Sequence, residues 1–153
     1  MTKILFVCHG NICRSTMAQF VFDYLARQKG LGGEFYLDSA GTSTEELGNP
    51  VHPGTRRKLA QVGIPCPTHY ARQLRKDEYG KFDLLIGMDQ ANLRNMNRML
   101  GGDPEGKIHC LLDYAGRPGQ SIADPWYTGN FDETYEDVLA GCQALLTHLT
   151  KEI

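Results

Sequence analysis

Ile4-Leu5-Phe6-Val7-Cys8-His9-Gly10-Asn11-Ile12-Cys13-Arg14-Ser15 joins an unbroken apolar run to the first turn of a helical pattern. The run over residues 3–7 reads as a strand buried on both faces, the kind found inside parallel sheets. From Arg14 onward, Met17, Phe20, Val21, Tyr24 and Leu25 recur at intervals of three and four, which predicts a helix over 14–29. Gly30-Leu31-Gly32-Gly33 stops it. A cysteine therefore opens, and an arginine closes, a tight strand-to-helix turn. Such a turn aims backbone N–H groups and the positive end of a helix at one point, which favours an anion or a thiolate there.

A second strand is expected over 34–39, so strand, helix and strand form a parallel unit with a right-handed crossover. Residues 43–54 read as a long polar loop broken by Gly48, Asn49-Pro50 and Pro53. A short helix over 55–62 follows, then a Pro-rich connector and a helical turn near 75–79. The third strand is read at 82–88. Asp89 caps a helix through Leu100 that Gly101-Gly102 ends, and the fourth strand lies at 107–111. Residues 112–127 form a second Gly/Pro-rich loop containing Asp124-Pro125-Trp126-Tyr127, before a last amphipathic helix over 132–150. Alternating strands and helices predict an α/β fold in which ligands bind beyond the carboxyl ends of the strands. The Cys8 turn lies at that edge.

A chain of 153 residues fits one domain, 1–153, with a sizeable core. A net charge of −2 suggests neither nucleic acid nor an anionic membrane as partner, and no apolar run reaches membrane-spanning length. Met1-Thr2-Lys3 leads straight into a strand without a secretory h-region, so a cytoplasmic protein is expected. Cys8, Cys13, Cys66, Cys110 and Cys142 are odd in number and include no Cys-x-x-Cys pair, which argues for reduced thiols rather than a disulfide framework or structural zinc.

The turn has the parts needed to bind a phosphate ester. His9, Gly10, Asn11, Ile12 and Cys13 can wrap their amides around one tetrahedral anion; Gly10 tolerates unusual backbone angles and Asn11 a left-handed one. Arg14 offers a planar, permanently charged fork to two oxygens. Arg14 and the loop amides favour the thiolate of Cys8, and Ser15 can donate a hydrogen bond to it. Expulsion of an alkoxide or phenoxide needs a proton donor, for which Asp124 is the candidate, with Trp126 and Tyr127 as a partly desolvating cleft wall. The same carboxylate can then activate water against a cysteinyl-phosphate. No metal or cofactor is called for, because the loop and Arg14 already neutralise the phosphoryl oxygens. His9 has no evident side-chain partner.

With these residues in place, the chain closely resembles the low-molecular-weight protein tyrosine phosphatases. The resemblance is carried by residues 7–15, by Asp38-Ser39-Ala40-Gly41-Thr42, Gly48-Asn49-Pro50, His69 with Ala71-Arg72-Gln73, Met88-Asp89 with Asn92-Leu93, and Asp124-Pro125-Trp126. It implies a three-layer sandwich with a four-stranded parallel sheet of order 2-1-3-4 and helices on both faces. It implies Cys8 as nucleophile, Arg14 as phosphate ligand, Asp124 as general acid, and a network of Asn11, Ser15, Ser39 and His69 that holds the loop in its strained shape. Phosphotyrosine-bearing protein is the implied substrate and inorganic phosphate the product. Cys13 matches the family's second loop cysteine, which can form a reversible disulfide with the nucleophile under oxidation.

Three departures stand out. Thr16 replaces the usual Pro, Gln19 replaces a common Glu and so weakens an acidic contact to His69, and Glu45 with Glu46 occupies a loop that often supplies a cleft-wall aromatic. An acidic mouth would favour substrates with basic residues near the phosphotyrosine. Related activities fit less well. Arsenate reductases of this fold need two further cysteines after the third strand, and residues 84–106 hold none; protein arginine phosphatases typically carry Thr where Ile12 stands. A non-catalytic phosphate-binding module would be signalled by loss of Cys8, Arg14 or Asp124, and all three are present.

Overall fold

β1 (Thr2–Cys8) is the axis of a four-stranded parallel sheet ordered β2-β1-β3-β4, with β2 at Phe35–Gly41, β3 at Leu84–Gly87 and β4 at Ile108–Cys110. The computed structural model describes residues 1–151 of the chain. Five α-helices accompany the sheet: α1 (Arg14–Gln28), α2 (Pro53–Gln61), α3 (Gln90–Leu100), α4 (Pro125–Thr128) and α5 (Phe131–Thr150). Short 3₁₀ turns occupy Gly32–Glu34, Lys76–Gly80 and Leu111–Asp113. The architecture agrees with the expected α/β sandwich, including the strand order.

The period-two geometry of a strand explains why β1 reads as a continuous apolar run. Ile4, Phe6 and Cys8 join Ile86 in the core shared with α1 and α5, whereas Leu5 and Val7 join Leu85, Met96 and Leu100 under α3. Both faces are dry, so neither parity can be polar. Each fully buried side chain of this size contributes about 1.5–3 kcal/mol, and the strand becomes a rigid mount for whatever follows it.

Pairing then sets the site. Cys8 lies opposite Gly41, and Val7 opposite Gly87, which is opposite Cys110. The strands therefore end along one edge, where the segments after β1, β2, β3 and β4 meet. The segment 69–74 is drawn to the same edge: Gly41 N–H donates to Arg72 O (2.8 Å) and Leu74 N–H to Gly41 O (2.8 Å).

Boundaries differ from the sequence reading where a local signal is unusual. β2 starts at Phe35 because Glu34 belongs to a 3₁₀ turn, and it runs on through Gly41. α2 starts at Pro53 rather than Thr55: proline is favoured in a first helical turn, and the preceding cap is an imidazole instead of a hydroxyl or carboxylate. α5 begins at Phe131, where Asn130 Oδ1 accepts Glu133 N–H. The loop after β4 hides the one-turn helix α4, opened by Asp124, whose carboxylate accepts Trp126 N–H.

Candidate active site

The turn after β1 owes its shape to hydrogen bonds that hold four of its carbonyls. Cys8 O accepts Thr42 N–H (2.9 Å), His9 O accepts Ser43 N–H (3.0 Å), Ile12 O accepts His52 N–H (2.9 Å), and Cys13 O accepts Met17 N–H (3.2 Å). Thr16 Oγ1 and Thr55 Oγ1 also donate to Cys13 O, at 3.0 and 3.3 Å. A trans peptide sets each C=O opposite the next N–H. The N–H groups of His9, Gly10, Cys13 and Arg14 consequently point away from those ties. Thr16 thus supplies a hydroxyl tie in the first turn of α1, at the position where the resemblance has the usual Pro.

Asn11 is the one non-glycine residue with a positive φ (59°) among those described. That conformation costs about 1–3 kcal/mol, and its bonds explain how it is held. Arg72 N–H donates to Asn11 Oδ1 (3.2 Å), which fixes the amide orientation because a backbone N–H can only donate. Asn11 Nδ2 then donates to Ser15 Oγ (2.8 Å), leaving the Ser15 hydroxyl hydrogen to point at Cys8 Sγ (3.0 Å). Asn11 N–H also donates to Cys8 Sγ (3.3 Å). Two donors converge on the sulfur, an arrangement suited to a thiolate.

The support continues outward. His69 Nε2 lies 3.0 Å from Asn11 Oδ1, so this nitrogen carries the proton, and 3.2 Å from Ser39 Oγ. Ser39 Oγ in turn donates to Gln19 Oε1 (2.6 Å). Burial, with Arg72 nearby, lowers the His69 pKa against the opposing pull of Asp38. Burial is the leading cause of that shift. Gln19 reaches the histidine through Ser39. Behind them, the Arg72 guanidinium binds Glu78 (2.8 and 2.9 Å) and Asp38 (2.9 Å). Burial opposes charge on Arg72 and Glu78, yet their pairing wins on both, raising the Arg72 pKa and lowering that of Glu78.

Arg14 is 3% exposed and its guanidinium is oriented by three oxygens. Nη1 donates to Asp89 Oδ2 (2.7 Å) and Ile122 O (2.9 Å), and Nη2 lies 3.5 Å from Asp124 Oδ2. Burial strips solvent from the cation, but Cys8, Asp89 and Asp124 outweigh that penalty and raise its pKa. Asp89 was legible only as a helix cap. Its Oδ1 does accept Asn92 N–H at 2.7 Å, while its other oxygen holds Arg14.

Cys8, His9, Gly10, Ile12, Cys13, Arg14, Glu45, Glu46, Asp124, Trp126 and Tyr127 line one pocket. Asp124 therefore shares the cleft with Cys8 and Arg14. Trp126 forms its wall while 56% exposed; Tyr127, 82% exposed, stands at the rim and does little to desolvate Asp124. His9 does have a side-chain partner, Glu45, at 3.0 Å. That bond ties the imidazole to a carboxylate of the loop that follows β2. A Cβ on Gly10 would come within 3.2 Å of Glu46, which places this second carboxylate side chain against the loop. Ile12 packs with Cys13, Ala71 and Phe131 below the wall. Cys13 is buried, and desolvation with the neighbouring Cys8 pushes its thiol pKa up to about 12. All five cysteines are free thiols.

Comparison with known proteins gives this cleft a context. Residues 3–153 match the family model described as low molecular weight phosphotyrosine protein phosphatase. The chain is 41% identical over 153 residues to the low molecular weight protein-tyrosine-phosphatase YfkJ of Bacillus subtilis, covering 99% of this chain and 98% of that protein. The crystal structure of YfkJ superposes with a TM-score of 0.94, covering 99% of this chain and 96% of that one. The human low molecular weight phosphotyrosine protein phosphatase is 36% identical over 148 residues, covering 94% and 93%. A Drosophila arginine phosphatase shares the fold, with a TM-score of 0.87, 29% identity and coverage of 97% and 98%. Full-length agreement in both sequence and fold, around a cysteine held by two donors beside a buried arginine, leads to one conclusion: the chain belongs to the low molecular weight phosphotyrosine protein phosphatases, a family of metal-independent hydrolases.

Proposed function

We propose that this protein hydrolyses phosphotyrosine in proteins, and small aryl phosphates, through a covalent intermediate on Cys8, and that it does so in the cytoplasm. The observation that carries the reading is the convergence of Asn11 N–H and Ser15 Oγ on Cys8 Sγ in a pocket that also holds Arg14 and Asp124. In the first step the Cys8 thiolate attacks phosphorus. The S–P bond forms as the bond to the phenolic oxygen breaks, and the Asp124 carboxyl gives its proton to that oxygen. Arg14 and the amides of the turn hold the three remaining phosphoryl oxygens, where charge develops.

In the second step the Asp124 carboxylate takes a proton from water, whose oxygen attacks phosphorus. The S–P bond breaks, and inorganic phosphate and the Cys8 thiolate are restored. Cys8 has no disulfide partner in the structure, which leaves its sulfur free for this attack. Ile12 presents an apolar side chain to the pocket, which fits an aromatic leaving group better than a guanidinium.

The test is hydrolysis of an aryl phosphate and of a phosphotyrosine peptide in the presence of a chelator, with a phosphoarginine peptide alongside. The expected outcome is turnover of the first two, much slower release from phosphoarginine, and near-complete loss in Cys8→Ser. Preference for phosphoarginine would transfer the substrate assignment to that class.

A further inference from the structure

His52 takes no part in the steps above, yet its imidazole touches the start of α2, Phe131 of α5 and the pocket-lining Trp126. Nδ1 accepts Gly54 N–H at 2.9 Å and so caps α2. The ring stacks on Phe131, with centroids 5.2 Å apart and planes 27° from parallel. Its edge meets Trp126 at 5.8 Å and 82°. The backbone N–H of the same residue donates to Ile12 O, inside the phosphate loop. One residue thus joins the floor of the pocket to its wall.

The wall is where Asp124 is set. Trp126 N–H donates to Asp124 Oδ1 at 3.0 Å, and the other carboxylate oxygen faces Arg14. Before Asp124, the chain is anchored by Ile122 N–H to Met88 O (2.9 Å) and by Thr134 Oγ1 to Ala123 O (3.0 Å). After it comes α4, four residues long, too short to hold its place through its own hydrogen bonds. There the Trp126 ring lies against His52. Phe131 packs close to the cap, its ring filling the space where a Cβ on Gly54 would stand.

We propose that His52 is a positioning residue for the proton donor: its ring fixes Trp126, and Trp126 fixes the Asp124 carboxyl over the phosphate loop. This rests on the reading of Asp124 as the general acid. The cap needs a neutral ring with the proton on Nε2, since protonated Nδ1 would oppose the Gly54 N–H. Around the imidazole, burial and Arg57 and Arg56 of α2 favour the neutral form, while Glu46 and Asp124 from the facing loops favour the charged one.

The cap and the wall contact are separable. His52→Asn keeps a side-chain acceptor for Gly54 N–H and removes the ring; His52→Phe keeps a ring and removes the acceptor. The readout is kcat/KM across aryl phosphates of increasing leaving-group pKa, with Asp124→Ala as the reference for a missing acid. Full general-acid assistance is worth about 10²–10⁴-fold, so a misplaced donor in His52→Asn is expected to cost about 5- to 20-fold with phenyl phosphate. It should cost less than about twofold with nitrophenyl phosphate, whose leaving group needs little assistance. His52→Phe should keep the wild-type dependence and lose thermal stability.

Trp126→Leu removes the same contact from the other side. It should steepen the dependence as His52→Asn does, and the double variant should be no steeper than either single one. If Asp124→Ala steepens the dependence and neither His52→Asn nor Trp126→Leu does, the positioning role is wrong and the acid assignment survives. If Asp124→Ala itself leaves the dependence flat, both fall.

Discussion

Arg14 Nη1 donates to Asp89 Oδ2 at 2.7 Å across 75 residues of sequence, and the same carboxylate caps α3 through Asn92 N–H. The N-terminus of a helix on one face of the sheet therefore orients a cation at the start of a helix on the other. Asp89→Ala is expected to lose about 1 kcal/mol of stability from the cap alone. It should also weaken competitive inhibition by inorganic phosphate about tenfold or more, because a charge-assisted bond to the guanidinium contributes about 1.5–3 kcal/mol. Asp89→Asn keeps a single acceptor oxygen, enough for the Asn92 cap, and turns an NH2 donor toward the Arg14 guanidinium, so it should recover the cap and not the phosphate affinity. Thermal melts and phosphate inhibition constants check the two effects separately.

Folding stability should fall as the solution is acidified below about pH 6.5. Burial lowers the pKa of both His52 and His69 from that ordinary value. The unfolded chain therefore binds protons in a range where the folded chain does not, and stability rises with pH there. Loss begins near the unfolded value and levels off below the folded one. Glu78, held down by Arg72 against the penalty of burial, adds a second loss as the pH drops below about 4.5. Urea denaturation midpoints from pH 8 to pH 4 check the trend, and His69→Asn should remove part of the first decline.

Glu45 and Glu46 line the pocket, one paired to His9 and the other against Gly10. Phosphotyrosine peptides with flanking Arg or Lys should be hydrolysed with a higher kcat/KM than acidic ones. Exposed charges of this kind act over about a Debye length, so the preference should shrink with added salt. A peptide panel repeated with the Glu45→Gln/Glu46→Gln double variant should lose the preference.

Mild peroxide should convert the Cys8 thiolate to a sulfenic acid, and the Cys13 thiol should then displace water to give a Cys8–Cys13 disulfide. Cys13 is protonated at neutral pH, its pKa having been pushed up to about 12, so it waits as a thiol until Cys8 has been oxidised. Peptide mapping after peroxide should show that bond and full recovery of activity with dithiothreitol. Cys13→Ser should instead accumulate irreversible sulfinic acid at Cys8.

How far the sequence carried the reading depended on how local each signal was. The strand, turn and helix over residues 3–29 were legible because their signals fall within one stretch: an apolar run, a Gly-Asn turn and a three-four periodicity. Ser15 beside Cys8 was legible for the same reason. The Asp38–Arg72–Glu78 cluster was not, since each member reads alone as a solvated charge and they meet only when residues 69–74 pair with the end of β2. Asp89 gave up half its role, because a capping residue leaves one carboxylate oxygen free to reach across the sheet. His52 left no trace as a cap, imidazole being an uncommon one, and α4 is too short to show a period. At long range, Ser39 and His69 stand within hydrogen-bond reach of each other and, through His69, of Asn11.

Cys8 as the covalent attachment point is the claim on which the rest depends. The most direct measurement is rapid acid quenching of the protein during turnover of an aryl phosphate, followed by mass mapping of the phosphorylated peptide. Phosphate on Cys8 in the wild type, and no phosphoenzyme in Cys8→Ser, is the result predicted by the convergence of Asn11 and Ser15 on the sulfur. Turnover that survives in Cys8→Ser, or phosphate trapped on another residue, would contradict it.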